Sequence, residues 1–385
     1  MDDVGAYERK RTEFLPSIAL IRAVAALMVV YDHLLGIWPQ RNGVSWLPAQ
    51  LADRWIFEPL HVMMHGGGMA VAMFFLVSGF VIFHVAQRET RREFSVKRAL
   101  RIFPPFWMSI VLLLAAYGMV LATNSSSGMR GLALETALAQ PNPWPDILAA
   151  TTLLNYLVGT PPINGVAWTL IIEVLFYALV ALMLPLLKAW PRLGIGCALG
   201  FLVLLQAVAH AHPVVFLLAV NGVYVTYMFL GSLIYLRRAG QIGSRFFVAA
   251  SLGFSGVFLR GVSSIVLQPP YDLSDYGVSY ALAWLIFLVA LLLDEHIRLG
   301  KVTAFFSRIS YSLYLNHGGL GLLALTLLYP RLGYPASLAL TFALVVAISA
   351  ASYRWVEAPS QRLARRWTTR TAQNRLTPAG SGPAP

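Results

Sequence analysis

Ten long apolar segments constrain the fold of this chain more than any other feature of its sequence. They lie at about 17–38, 67–87, 102–122, 165–187, 193–209, 213–236, 246–266, 277–293, 308–328 and 334–356. A helix needs roughly 20 apolar residues to cross a bilayer. Hydrophobic residues make up 58% of the 385-residue chain and charged residues only 12%, which is more apolar surface than a soluble protein of this length can bury. The sequence therefore predicts an all-α polytopic membrane protein of the cell membrane, with about ten transmembrane helices.

The basic residues predict how these helices are oriented. With the N-terminus in the cytoplasm, the inner loops and both tails hold 23 of the 29 Lys and Arg residues. Cytoplasmic loops of membrane proteins carry such an excess. We therefore expect both termini in the cytoplasm, with a tail at 1–12, a membrane domain at 13–360 and a disordered tail at 361–385. This asymmetry explains the net charge of +12, so no nucleic-acid partner is expected.

Two outer loops and one cysteine complete the outline. The loops 39–66 and 123–164 are long, and they are either connectors or an entrance for a substrate from outside. Within the second loop, Ile147–Val158 is apolar but too short to span, which favours a re-entrant or interfacial position.

Cys197 is the only cysteine, so it permits no internal disulfide and no cysteine-based metal cluster. It is expected to be a small buried hydrophobic side chain.

The first apolar segment carries three polar groups that hydrocarbon disfavours. Arg22 and His33 are eleven residues apart, which in an α-helix is three turns plus roughly 20°, so they share one face about 16 Å apart. Polar groups inside a spanning helix indicate a functional site. The alternative is a snorkelling arginine and a hydrogen-bonded histidine. Asp32 projects about 100° away from His33, which favours an interfacial carboxylate near the outer surface over a partner of the imidazole.

Other segments also contain polar groups with two possible roles. Glu173 lies deep in the fourth segment, where it either pairs with an arginine or orients a substrate or a catalytic imidazole. His317 either binds a neighbouring helix or contributes to the site. At the inner end of the third segment, Arg98 and Arg101 share a helical face and would meet anions, although they would also serve as markers of topology.

Six short motifs occur in a fixed order and make the sequence resemble one family. They are Arg22 followed after ten residues by His33, FFLVSGF around Ser78, Arg98 with Arg101 and Pro104, WTLIIE from Trp168 to Glu173, SYSLYLNH from Ser310 to His317, and Tyr353 with Arg354, Glu357 and Pro359. The chain resembles the acyltransferase-3 family of integral-membrane acyltransferases over about residues 13 to 360. This resemblance implies transfer of an acyl group, usually acetyl, from acyl-CoA to a hydroxyl that is often on a carbohydrate.

The resemblance also assigns roles to residues. It implies catalytic roles for His33 and Glu173, and acyl-CoA binding by Arg22, Arg98 and Arg101. The supporting residues of the site are then Ser78, Trp168, Tyr314, His317 and Glu357. Acyl-CoA is the expected co-substrate, with no metal and no tightly bound cofactor, because a thioester is reactive without one. Where transfer requires an extracytoplasmic domain, a partner protein is expected to supply it.

The geometry of the first segment agrees with this chemistry. Acyl-CoA is made in the cytoplasm and carries phosphates that Arg98 and Arg101 would meet. His33 lies about 16 Å beyond Arg22, which matches the reach of an extended pantetheine arm. There it would act as general base for the acceptor hydroxyl or carry the acyl group itself. The alternative class is a transporter or flippase for a lipid-linked or amphiphilic solute. Transporters often contain paired repeats, and the two halves of this chain show none.

Overall fold

The protein is described by a computed structural model that covers residues 15–122, 144–267 and 271–376, and every regular element in these ranges is helical. The long helices are α1 (Pro16–Asn42), α2 (Met64–Ala86), α3 (Arg91–Ala122), α4 (Gly165–Ala189), α5 (Pro191–Ala207), α6 (Pro213–Arg238), α7 (Ser244–Val266) and α8 (Leu273–Leu292). They are followed by α9 (Lys301–Asn316), α10 (Leu322–Ser352) and α11 (Ala358–Leu376), which the π-helical turns His317–Gly321 and Tyr353–Glu357 join. The predicted tail at 1–12 and the first half of the second outer loop, residues 123–143, lie outside the described residues.

The prediction of an all-helical multi-pass membrane protein is confirmed, while the count of about ten spans stays a prediction. Within the described ranges, eight helices are long and apolar enough to cross a membrane. Helix α5 has only 17 residues and is therefore shorter than each of these eight helices. The last two predicted segments lie in one helical run, Lys301–Thr368. That run bends at Gly333, whose φ of 67° is a left-handed conformation that glycine adopts readily.

Helices α2 and α6 form the closest packing in the interior. A Cβ atom on Gly79 of α2 would overlap the carbonyl oxygen of Met228, and one on Gly231 of α6 would overlap the carbonyl oxygen of Leu76. Small residues at a helix interface allow two backbones to approach in this way. The hydroxyl of Ser232 donates a hydrogen bond to the Gly79 carbonyl at 3.2 Å. The small residues of the FFLVSGF motif therefore place α2 directly against α6.

Helix α1 is fixed to the C-terminal third of the chain by hydrogen bonds near both of its ends. At its start, the amide and hydroxyl of Ser17 both donate to the carboxylate of the buried Asp294. Toward its other end, the indole of Trp38 donates to Thr326 at 2.9 Å. The Tyr334 hydroxyl donates to the carbonyl of Leu34 at 2.8 Å. These contacts hold the helix that carries Arg22 and His33 in a fixed position along its length.

Two sequence expectations about the surface are wrong. Cys197 is exposed on the surface of α5 instead of buried. The expected disorder from residue 361 onward is also wrong as far as residue 376, because α11 continues to Leu376. Ala364 of this helix is buried, and its neighbours Gln361 and Arg365 line a cavity. Burial of one face therefore stabilises a helix whose composition is highly polar. Residues 377–385 lie outside the described part of the chain.

Candidate active site

His33 lies where helix α1 changes its winding. The α-helix ends at Tyr31 and a π-helical turn follows over Asp32–Ile37. Nδ1 of His33 lies 3.0 Å from the carbonyl oxygen of Val29. A carbonyl oxygen only accepts hydrogen bonds, so Nδ1 carries the proton and Nε2 of the neutral ring carries a lone pair. The side chain of His33 is 23% exposed, which leaves this lone pair available as a base.

His317 presents a second imidazole to the first. Its Nδ1 lies 2.7 Å from the Tyr314 carbonyl oxygen, which again assigns the lone pair of the neutral ring to Nε2. That nitrogen is buried and has no hydrogen-bond partner within the described ranges. The rings of His33 and His317 meet edge to face, with centroids 4.7 Å apart. Two basic nitrogens from opposite ends of the chain are thus brought to one place.

The WTLIIE and SYSLYLNH motifs support these imidazoles. The hydroxyl of Tyr314 donates to the carbonyl of Val166 at 3.0 Å and accepts a hydrogen bond from Thr169 at 2.8 Å. The ring of Tyr314 also packs 5.6 Å from that of His317. Trp168 packs against Tyr224, at 5.4 Å between centroids, and within the described ranges its ring does not pack against either imidazole. Tyr314 therefore fixes His317, while Trp168 packs on the neighbouring helix α6.

A large basic cavity opens at the other end of helix α1. It has a volume of about 1120 Å³. Among the described residues, seven Lys and Arg side chains line it, and Glu89, Asp294 and Glu295 are the acidic ones. The basic lining residues are Arg22, Arg88, Lys97, Arg98, Arg101, Arg238 and Arg365. The structure therefore brings all three predicted acyl-CoA-binding arginines to one cavity. Its net positive lining favours an anionic ligand.

The three arginines differ in how their side chains are held. Arg22 donates from Nε and Nη2 to the Ser310 hydroxyl at 3.2 and 2.9 Å. Arg98 has a buried Nε without a hydrogen-bond partner among the described residues. Arg101 lies within electrostatic range of Glu173 and Glu357. A cavity-lining guanidinium with an unused Nε donor is suited to a ligand that brings acceptor oxygens.

Glu173 and Glu357 lie with these arginines. Glu173 accepts hydrogen bonds from Ser78 at 2.6 Å and from Tyr177 at 3.2 Å. Glu357 accepts from Ser312 at 2.7 Å and interacts electrostatically with Arg22. Within the described ranges, no hydrogen bond or ion pair joins Glu173 to His33. The structure therefore places the predicted catalytic carboxylate beside the basic cavity and not beside the imidazole.

Asp32 is the residue that the sequence interpretation placed incorrectly. It is buried, with only 1% of its surface exposed, and is not an exposed interfacial carboxylate. Its Oδ2 lies 3.6 Å from Nδ1 of His33. The expected separation of about 100° assumed an unbroken α-helix and fixed side-chain directions. The signal that would have identified it is the carboxylate itself, since a charged group in a spanning segment needs a partner.

No group of three or more His, Cys, Asp or Glu side chains that could hold a metal ion occurs in residues 15–122, 144–267 and 271–376. The local chemistry consists of imidazole nitrogens at one end of α1 and guanidinium groups at the other. This arrangement can accept a proton at the first end and bind an anion at the second.

Comparison with known proteins places this geometry in context. The model of the acyltransferase domain of the acyltransferase-3 family matches residues 15–354. The chain is 29% identical over 320 residues to the exopolysaccharide production protein ExoZ of Rhizobium meliloti strain 1021, covering 78% of this chain and 91% of that protein. It is also 29% identical over 182 residues to nodulation protein 10 of Rhizobium leguminosarum bv. viciae, covering 46% of each chain. The chain thus spans less than half the length of the latter relative. No solved structure shows significant similarity to the chain.

Proposed function

Since this chain belongs to the acyltransferase-3 family and is a membrane O-acyltransferase, we propose that it transfers an acyl group from cytoplasmic acyl-CoA to a hydroxyl group. The acceptor is a carbohydrate or a glycosylated molecule, and the acyl group is acetyl. One of the two relatives is an exopolysaccharide production protein, which favours a carbohydrate acceptor. Membership of this family favours the enzyme over the transporter that composition alone left open.

The proposed topology has ten spans in the cell membrane with both termini in the cytoplasm. Helix α5, at about 1.5 Å per residue, is about 25 Å long, which suffices where the bilayer thins slightly. The bend at Gly333 separates the last helical run into two spans. The 23 basic residues on the inner side support this orientation. The basic cavity then opens toward the cytoplasm, where acyl-CoA is made.

One observation carries the proposal: Arg22, which lines the basic cavity, lies on the same helix as His33 and three turns away from it. The phosphates of CoA bind Arg98 and Arg101 in the cavity. The pantetheine arm then extends along α1 past Arg22 over about 16 Å. The thioester carbonyl reaches the two imidazoles at the far end. Binding of the charged end at a distance positions the reacting carbonyl.

The chemistry needs a base and a leaving group. Nε2 of His33 takes the proton of the acceptor hydroxyl while its oxygen attacks the thioester carbonyl. The carbon–sulfur bond breaks, and the CoA sulfur leaves with the electron pair and receives that proton. The ester and free CoA are the products. Because the thioester is already activated, the proposal includes no metal and no tightly bound cofactor. Where the acceptor must be presented outside the membrane, a partner protein supplies that domain.

The test uses purified protein in lipid nanodiscs, radiolabelled acetyl-CoA and an envelope polysaccharide fraction. We expect label in the polysaccharide with the wild-type protein and none above background with His33→Ala. The matched control is His210→Ala, which removes an exposed histidine outside the site and leaves transfer unchanged. Full transfer by His33→Ala would remove His33 from catalysis. Absence of label in any acceptor with the wild-type protein would overturn the proposed donor and acceptor.

A further inference from the structure

The buried carboxylate of Asp32 faces two histidines. In addition to His33, it meets His65, whose Nδ1 donates a hydrogen bond to Oδ1 of Asp32 at 3.4 Å. His65 lies in the short 3₁₀ turn Met64–Gly66 at the start of α2. A charge inside a spanning helix is costly unless it is paired. The two imidazoles therefore give the buried carboxylate of Asp32 its polar partners.

His65 lies between two carboxylates. Its Nδ1 faces Asp32, and its Nε2 lies 3.6 Å from Oδ2 of Asp53. Carboxylate oxygens only accept hydrogen bonds, so an imidazole that faces one on each nitrogen is stabilised in its doubly protonated form. Its φ of 46° is in the left-handed region, which histidine adopts more readily than most residues. The local backbone thus aims the ring at both carboxylates.

Two glycines leave the space that this arrangement occupies. A Cβ atom on Gly36 would overlap Nδ1 of His65, and one on Gly67 would overlap Oδ2 of Asp32. Either side chain would displace the imidazole or the carboxylate from its partner. We use the term "outer array" for His33, Asp32, His65 and Asp53. Its members come from three separate stretches of the chain and are tightly packed.

We propose that Asp32 is a positioning residue that stabilises the protonated form of His33 during acyl transfer, and that His65 and Asp53 set the strength of this effect. The inference rests on the proposed role of His33 as the base. With Asp32 and Asp53 negative and His65 positive, the outer array carries one negative charge. When His33 accepts the proton of the acceptor hydroxyl, the array becomes neutral. A buried carboxylate next to a catalytic imidazole commonly favours the imidazolium in this way.

Other titratable groups also face the outer array. Tyr271 interacts electrostatically with Asp32, while Tyr31 and Glu58 interact with Asp53. The ring of His317 packs edge to face against His33. Burial raises the pKa of Asp53 above the ordinary value for aspartate, and the neighbouring His65 opposes that shift. Among these groups, Asp32 is the only carboxylate that an ion-pair contact joins to His33.

The test measures how readily His33 itself gains a proton, without any substrate. Diethyl pyrocarbonate modifies unprotonated imidazole, and mass spectrometry of the His33 peptide gives the pH midpoint of its modification. Asp32→Asn keeps the shape of the side chain and removes its charge, so the midpoint falls by about one pH unit or more. His65→Asn removes a positive charge and suits a left-handed backbone, so the midpoint rises instead.

The control variant is Asp275→Asn. Asp275 forms a comparable pair with His61, at 3.5 Å, in which the imidazole is exposed and the carboxylate is 21% exposed. Because Asp275 pairs with His61 and solvent screens part of that pair, its loss leaves the His33 midpoint within about 0.2 pH unit of the wild-type value. Opposite shifts in Asp32→Asn and His65→Asn support an electrostatic role. Unchanged midpoints, or shifts in the same direction, overturn the proposal. His65→Asn alone decides the matter when Asp32→Asn does not fold, since only a rise in the midpoint agrees with it.

A second measurement separates this inference from the proposed function. In the acyl-transfer assay, Asp32→Asn lowers kcat about tenfold or more and leaves KM for acetyl-CoA within about twofold. Opposite midpoint shifts in the two variants, together with a wild-type protein that transfers no acyl group, would retain the electrostatic role of the outer array and refute the proposed function. Transfer by the wild-type protein together with unmoved midpoints would retain the proposed function and refute the role of Asp32.

Discussion

The imidazole of His33 packs edge to face against that of His317, with their planes at 86° and their centroids 4.7 Å apart. Each ring uses Nδ1 to bind a backbone carbonyl of its own helix, so each neutral ring has its lone pair on Nε2. Helix α1 thus carries the partly exposed imidazole of His33, and the C-terminal region carries the buried imidazole of His317. This relationship, together with the basic cavity around Arg22, leads to the following expectations.

Replacing His317 by alanine is expected to slow the chemical step. The variant lacks the ring that packs against His33 and a buried acceptor nitrogen near the reacting atoms. Because His317 does not line the basic cavity, kcat falls about tenfold or more while KM for acetyl-CoA stays within about twofold. Steady-state kinetics at varied acetyl-CoA concentration measures both constants. Unchanged kcat would limit His317 to a packing role.

Removing Arg98 and Arg101 is expected to weaken binding of acyl-CoA. The double variant Arg98→Ala, Arg101→Ala loses two cations of the cavity, so KM for acetyl-CoA rises about tenfold or more. Salt screens such contacts, so raising the salt concentration increases KM more in the wild-type protein than in the variant. The control is Arg192→Ala, an exposed arginine that does not line the cavity. An unchanged KM in the double variant would exclude these arginines from donor binding.

Glu173→Gln distinguishes two roles for this carboxylate. The variant keeps the shape of the side chain, but it removes a negative charge within electrostatic range of Arg101. The potential in the cavity becomes more positive, so KM for acetyl-CoA falls while kcat stays within about threefold. Ser78→Ala removes the hydrogen bond to Glu173 without a charge change and serves as the control. A large loss of kcat with constant KM would instead place Glu173 at the reacting atoms.

Gly79→Ala is expected to destabilise the protein through the contact between α2 and α6. The new methyl group overlaps the carbonyl oxygen of Met228, which cannot move without a shift of the helix backbone. Overpacking of this kind costs about 1–3 kcal/mol or more in the free energy of unfolding. The melting temperature in detergent measures the effect. Gly196→Ala is the matched control, because no atom lies within 4 Å of the added methyl group. Equal melting temperatures for the two variants would refute this packing.

Much of the architecture follows from the sequence because hydrophobicity and helical period are local properties. Apolar segments of sufficient length predict a helical multi-pass membrane protein whatever their partners are. The same local geometry places Arg22 and His33 on one helix with the correct order along its axis. The six motifs predict the family, which the match over residues 15–354 confirms.

The sequence could not place the carboxylates, because partners such as Ser78 for Glu173 and His65 for Asp32 lie on other helices. The sequence allows Glu173 either to pair with an arginine or to orient an imidazole. Packing decides that it accepts hydrogen bonds from Ser78 and Tyr177 and lies within electrostatic range of Arg101. The helical run at 301–368 and the ordered helix α11 likewise depend on burial against neighbouring elements.

What the sequence by itself determined is the class of membrane protein, its family and the helix that carries both Arg22 and His33. Only the tertiary structure decided that His33 meets His317 and Asp32, and that Asp32 is shared with His65. The physical reason is that the helical period fixes directions within one segment. Contacts between segments depend on how closely two backbones approach, and here small residues such as Gly36 and Gly67 leave the space for them.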